Sequence, residues 1–129
     1  MPRRVKVTDL ELLILQRIWE SQEPLTVGAI IENWPRTKKP GYTTVLKTLQ
    51  KMEAKAAVGH VEDGKRYAYF AKIEREDVAE GRLEQIIERM FGGDRLSFVQ
   101  YFIDSRDFDL DELRELKKLI SRKRKDESR

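Results

Sequence analysis

The stretch Tyr42-Thr43-Thr44-Val45-Leu46-Lys47-Thr48-Leu49-Gln50-Lys51-Met52 reads as one helix with two unlike faces. Val45, Leu46, Leu49 and Met52 recur at the three- and four-residue steps of a buried stripe, within a helix predicted over about 43–55. Thr43, Lys47, Gln50 and Lys51 lie opposite, with Thr44 and Thr48 beside them. The outer face therefore offers hydroxyls and ammonium groups. Val58 to Glu62, then Asp63-Gly64, then Lys65 to Phe70 follow. Two strand-forming runs joined by Asp-Gly predict a hairpin with a type I′ turn, whose twist matches that of the strands.

Two more helices precede this one. Thr8-Asp9-Leu10-Glu11 is a capping box, in which the Thr8 hydroxyl takes an orphan N–H and Glu11 reaches back. Leu12, Leu15, Ile18 and Trp19 continue the stripe until Glu23-Pro24, which ends the helix by about Gln22. Thr26 caps a short second helix with Val27, Ile30, Ile31 and Trp34 on its buried face, and Pro35 stops it. The basic loop Arg36-Thr37-Lys38-Lys39-Pro40-Gly41 then leads into the third helix. Three helices closed by a two-stranded hairpin are the winged variant of helix-turn-helix. In that arrangement the third helix enters a DNA major groove N-terminus first. Lys39, Thr43, Thr44, Lys47, Thr48 and Lys51 are the candidate contacts from loop and helix, with Lys65 and Arg66 at the hairpin placed to grip the backbone.

Charge points the same way. The chain has 129 residues and a net charge of +3, with 38% of its residues charged. Residues 1–72 hold 13 Lys/Arg against 8 Asp/Glu, residues 73–116 hold 6 against 13, and residues 117–129 hold 7 against 2. The nearly neutral total hides a basic front, an acidic middle and a basic end. Over 36–72, nine Lys/Arg face three Asp/Glu, concentrated on the pieces that should meet nucleic acid.

Catalysis finds little footing. There is no cysteine, which removes disulfides, thiolate metal sites and a cysteine nucleophile. His60 is the only histidine, and it reads as a surface or phosphate-contacting residue. Neither a glycine-rich phosphate loop nor a Ser/His/acid set is present. No cofactor, no metal and no enzymatic activity are expected. No apolar run approaches the roughly 18 residues of a membrane span, and the basic start leads into no signal-peptide core. A cytoplasmic protein without a membrane partner is expected.

Past Lys72 the pattern changes to helices alone. A long amphipathic helix over about 76–91 carries Val78, Leu83, Ile86, Ile87, Met90 and Phe91, and Gly92-Gly93 breaks it. Phe98 and Phe102 lie on a shorter helix; Leu113, Leu116 and Ile120 lie on a last one that Asp109 can cap. Such stripes cannot close around themselves, and a second copy is the economical cover. The organisation expected is therefore mainly α with a small β-hairpin. It comprises a winged helix-turn-helix DNA-binding domain (1–72), a helical dimerisation domain (73–122) and a disordered basic tail (123–129). Double-stranded DNA with a palindromic operator is the partner, half-sites lying about 34 Å apart or a simple multiple. The competing class is a winged-helix adaptor that docks protein without reading DNA.

Five stretches also carry a resemblance. Residues 8–19, 25–30, 42–52, 63–69 and 89–93 together are similar to the penicillinase repressor (BlaI/MecI) family, in unbroken order over roughly 8–120, with 42–52 the most specific part. The resemblance implies a dimeric transcriptional repressor bound to an inverted repeat. It implies that Thr43, Thr44, Lys47 and Lys51 face DNA and that the C-terminal helices make the dimer. Three departures stand out. The family commonly has Gly at the end of the recognition helix; here Ala56 predicts an ending without a left-handed cap. A regulatory protease, the further partner the resemblance implies, cuts an Asn-Phe bond where this chain has Tyr101-Phe102, and Phe102 reads as a core or dimer residue. Finally, the absence of cysteine excludes the thiolate metal sensing of copper-responsive relatives.

Overall fold

Thr8 opens the first helix as its sequence predicts. Its hydroxyl accepts the Glu11 N–H at 3.1 Å, and the Glu11 carboxylate accepts the Thr8 N–H at 2.8 Å. The computed structural model describes residues 5–127; the first four residues of the basic start and residues 128–129 of the basic tail lie outside the described residues. The elements run α1 (Asp9–Trp19), β1 (Leu25–Thr26), α2 (Val27–Glu32), α3 (Tyr42–Ala54), β2 (Val58–Asp63), β3 (Arg66–Ala71), α4 (Arg75–Phe91), α5 (Arg95–Asp104) and α6 (Leu110–Glu127). The winged helix-turn-helix is present, followed by helices only. Thr26 caps α2 by accepting the Ala29 N–H. The first helix ends at Trp19, earlier than Pro24 requires.

The sheet has three strands, in the order β1-β3-β2. Leu25 pairs with Tyr69 and Thr26 with Ala68, both antiparallel. A two-residue strand carries no periodicity, so the sequence announces only the hairpin. Asp63 pairs with Arg66, which makes Gly64 and Lys65 the central turn residues. Gly64 has φ 65° and Lys65 is not left-handed. Positive φ at the first position alone is the type II′ pattern, not type I′. The turn sits one residue later than Asp63-Gly64, and Lys65 stands at the tip itself.

Ile14, Leu15 and Ile18 of α1, Val27 and Ile30 of α2, and Val45, Leu49 and Met52 of α3 form one core with Val58, Tyr69, Ile73 and Val78. Each such side chain contributes about 1.5–3 kcal/mol by leaving water. An ion pair between a buried acid and an exposed base ties two of these helices: Lys55 Nζ donates to Glu11 Oε1 at 2.8 Å and to the Lys6 carbonyl at 2.9 Å. Burial alone would raise the Glu11 pKa, but the Lys55 ammonium and the Thr8 N–H outweigh it and hold the carboxyl below its ordinary value.

The end of α3 corrects an expectation. Ala56 is left-handed, at φ 63°, and the helix closes with both bonds of a Schellman motif: Ala57 N–H to the Met52 carbonyl (2.8 Å) and Ala56 N–H to the Glu53 carbonyl (3.0 Å). The cap forms without glycine because two carbonyl bonds outweigh the crowding of one Cβ. That crowding costs about 1–2 kcal/mol. Ala56→Gly should therefore raise the unfolding free energy by about 1 kcal/mol in a urea melt, less than the full relief because glycine gains freedom in the unfolded chain.

The chain divides into two compact units, the first running to Gln85 and the second from Ile86. That division lies beyond 72/73 because the first turns of α4 pack into the first unit. Val78, expected at a dimer interface, is 2% exposed and belongs to this core. An apolar stripe shows that a helix packs, not against what. Helix α6 continues through Glu127, so residues 123–127 are helical where a disordered tail was expected; cations in the last turn suit the helix dipole. Among the described residues no helix is long and apolar enough to cross a membrane.

Candidate nucleic-acid interface

Helix α3 buries Val45, Leu49 and Met52 and turns Thr43, Thr44, Lys47, Gln50 and Lys51 outward. Gly41 occupies its N-cap without any side-chain hydrogen bond to the first turn, and a Cβ there would meet nothing within 4 Å. No cap side chain occupies the first N–H groups of α3, and Thr43 and Thr44 lie exposed in its first turn. A helix start so arranged attracts an anionic oxygen. The one acidic residue of α3, Glu53, is engaged elsewhere: His60 Nδ1 lies 2.8 Å from both its carboxylate oxygens.

His60, a third exposed, thus has its Nδ1 held by α3. Its ring stacks on Tyr67 at 4.2 Å and lies 5.9 Å from the Tyr69 ring. Burial, reinforced by the nearby Glu53 carboxylate, pushes the Tyr69 phenol above its ordinary value. The end of α3 and the two wing strands are thereby joined on one flank. Tyr42, exposed at the first position of α3, stands near enough to Tyr69 to influence it. The sequence reading begins this helix at about Thr43 and so passes over Tyr42, which the structure places at its first position.

Not every expected contact is equally available. Thr48 is half-buried, and its hydroxyl donates to the Thr44 carbonyl at 2.7 Å. Lys39 donates to the Glu32 carbonyl at 3.3 Å, closing the end of α2, while Arg36 and Lys38 in the same loop are exposed. At the wing, Asp63 sits across from Arg66 and Glu62 across from Tyr67. Glu62, Asp63, Lys65 and Arg66 balance in sign. The uncompensated positive charge lies on the loop and α3, not on the wing.

The second unit is built differently. Helices α5 and α6 contain no buried residue. Asp94 caps α5 through the Leu96 and Ser97 N–H groups and the Ser97 hydroxyl, which lowers its pKa. Asp109 caps α6, accepting the Glu112 N–H at 2.8 Å. Phe91, Phe98, Phe102 and Phe108 form a chain of ring contacts 5.7 to 6.4 Å apart. Outside it, Ile86, Met90, Leu113 and Ile120 are exposed, Met90 at 74% and Ile120 at 65%, and Ile87 and Leu116 are half-buried; Leu83, near the end of the first unit, is exposed too. Among the described residues no cluster of three or more His, Cys, Asp or Glu is placed to hold a metal ion.

Comparison with known proteins gives a consistent set of similarities. A family model described as penicillinase repressor matches residues 7–122. The Bacillus licheniformis penicillinase repressor is 22% identical over 120 residues, 93% of each chain. The transcriptional regulator BlaI of Mycobacterium tuberculosis is 24% identical over 105 residues, 81% of this chain and 76% of that one. The methicillin resistance regulatory protein MecI of Staphylococcus aureus is 21% identical over 118 residues, 92% of this chain and 95% of the other. Among solved structures, the monomeric form of Bacillus licheniformis BlaI in complex with the blaP half-operator matches at 22% identity and a TM-score of 0.49, over 60% of this chain and 93% of that chain.

Proposed function

This chain belongs to the penicillinase repressor family, and on that premise we propose that it is a sequence-specific DNA-binding transcriptional repressor acting as a homodimer. It binds an inverted-repeat operator and blocks transcription by occupancy, in the cytoplasm, without catalysis or cofactor. The observation that carries this is the outer face of α3. Thr43 and Thr44 stand at the helix start, Lys47 and Lys51 follow along the same exposed face, and the single acid of the helix is tied to His60. Thr43 and Thr44 serve the phosphate at the helix start; Lys47 and Lys51 reach base edges or the next phosphates. The names of its relatives, a penicillinase repressor and a resistance regulatory protein, support the same reading.

The second copy is supported by the second unit, whose α5 and α6 bury nothing of their own. Leu83, Ile86 and Met90 on α4 and Leu113, Leu116 and Ile120 on α6 share the same three-then-four spacing, the seam of helices that pack on a partner. Phe102 and Tyr101 lie in this unit, both exposed. Phe102 touches the rings of Phe98 and Phe108, so its role here is to build the aromatic chain rather than to mark a scissile bond.

Because the wing tip carries balanced charge, Lys65 contributes as a phosphate contact only. Lys65→Ala should weaken binding to matched and scrambled duplexes alike, about threefold, and reduce the salt slope by about one. Fluorescence anisotropy with both duplexes checks it. A protein-docking adaptor predicts instead no salt-sensitive DNA binding at all and a partner retained after nuclease treatment.

A further inference from the structure

The segment Val5–Thr8, just before α1, touches two elements far along the chain, the end of α3 and α4. Lys55, at the end of α3, donates to the Lys6 carbonyl. Arg82 of α4 donates from Nη2 to the Val7 carbonyl at 3.3 Å and to Asp9 Oδ1 at 3.0 Å. Between those bonds the segment lies directly on α4: a Cβ on Gly81 would stand 2.9 Å from the Val5 carbonyl oxygen. Val5 and Val7 pack against the core. All of this lies within the first unit, so the segment straps the end of the DNA-reading helix to the first half of α4. A second tie holds the start of α4, where Trp19 Nε1 donates to the Ile73 carbonyl at 3.0 Å and the Arg75 guanidinium lies 5.4 Å over the Trp19 ring.

The ion pair to Asp9 is not what matters most, since Asp9 is 93% exposed and such pairs are weak. Gly81 matters more. It is a glycine inside a helix, where alanine is the better helix former. What glycine provides here is room for the strap to close on α4.

We propose that Gly81 and Arg82 are positioning residues for two-site DNA binding: they lock the first half of α4 to the strap. The proposal rests on the homodimeric reading above. A 17-residue helix spans about 25 Å, and a tilt of about 10° at its anchored end moves its far end about 4 Å. That is about one base-pair step of 3.4 Å. The gain from engaging two half-sites depends on how well the connection between readers matches their separation. The strap thereby sets which half-site spacing the dimer accepts.

The test uses the full chain and a duplex carrying an inverted repeat that the wild type selects from random-sequence DNA. Gly81→Ala/Arg82→Met is compared with wild type on that duplex, on one half-site, and on duplexes with one to five base pairs inserted at the centre. Thermal melting and light scattering establish that it is folded and dimeric. The variant should keep wild-type half-site affinity, lose about tenfold on the selected duplex, and show a flatter dependence on the inserted length. Arg82→Lys, which keeps a donor toward Val7, should fall between the two. A spacing profile unchanged from wild type overturns the proposal, as does an equal loss on half-site and full site, which would mark a purely structural role. Should wild type itself bind the full repeat no better than one half-site, the two-site reading fails first and the proposal with it.

Discussion

Leu113→Asp/Ile120→Asp is expected to convert a dimer into a monomer of 15.2 kDa, the mass of one chain, and to lower affinity for the inverted repeat by 10² to 10⁴-fold. Both side chains are exposed, Leu113 less so than Ile120, and α6 has no buried residue. Introducing carboxylates there costs the single chain little. Facing a second copy, the same two residues would put four carboxylates on an apolar seam, each desolvated without a partner and each costing several kcal/mol. The core of the first unit contains no residue of α6, so binding to one half-site should survive. Sedimentation at micromolar concentration reads the mass, and titrations of half-site and full-site duplexes read the two affinities. Retained dimer mass would place the interface elsewhere; lost half-site binding would mean that the variant had damaged the reader.

Lys47→Ala/Lys51→Ala is expected to lower affinity for the matched duplex on the order of 10²-fold while leaving the fold intact. Both lysines lie on the exposed face of α3, opposite Val45, Leu49 and Met52, and alanine is the better helix former. A good base-edge contact contributes about 1–3 kcal/mol of discrimination, and a phosphate contact adds salt-dependent affinity without discrimination. The two roles separate in one experiment. If either lysine reads a base, the ratio of matched to scrambled affinity falls; if both hold phosphate, the ratio stays and the salt slope drops by about two. Indifference of DNA binding to the double substitution would remove α3 as the reading helix.

Features set by neighbours in sequence were legible, and those set by distant ones were not. The Thr8–Glu11 box, the Thr26 cap and the Asp109 cap each depend on residues within one helical turn, so the sequence carries them whole. The turn at Gly64-Lys65 was displaced by one residue, because strand register across Asp63 and Arg66 decides it and Asp-Gly alone does not. Two-residue β1 has no pattern to read. Val78 stands five residues before Leu83, off the three-then-four step that joins Leu83, Ile86 and Met90, and it points into the first unit; its apolar character alone gave no partner. The Glu11–Lys55 pair and the strap join positions 44 or more residues apart; no local signal announces them. At the candidate interface the helix face was legible residue by residue. The balance of charge at the wing tip was not, because it depends on which acid stands beside which base.

The measurement that bears most directly on a homodimeric operator-binding repressor is a titration of the full chain with duplex DNA taken from beside its own gene, at 50 and 200 mM salt. Two chains per inverted repeat are predicted, with affinity falling about 10³-fold or more between the two salts, as expected for about six or more phosphate contacts, and a scrambled duplex bound far more weakly throughout. Binding that ignores salt, or that treats the scrambled duplex as the equal of the native one, would contradict it.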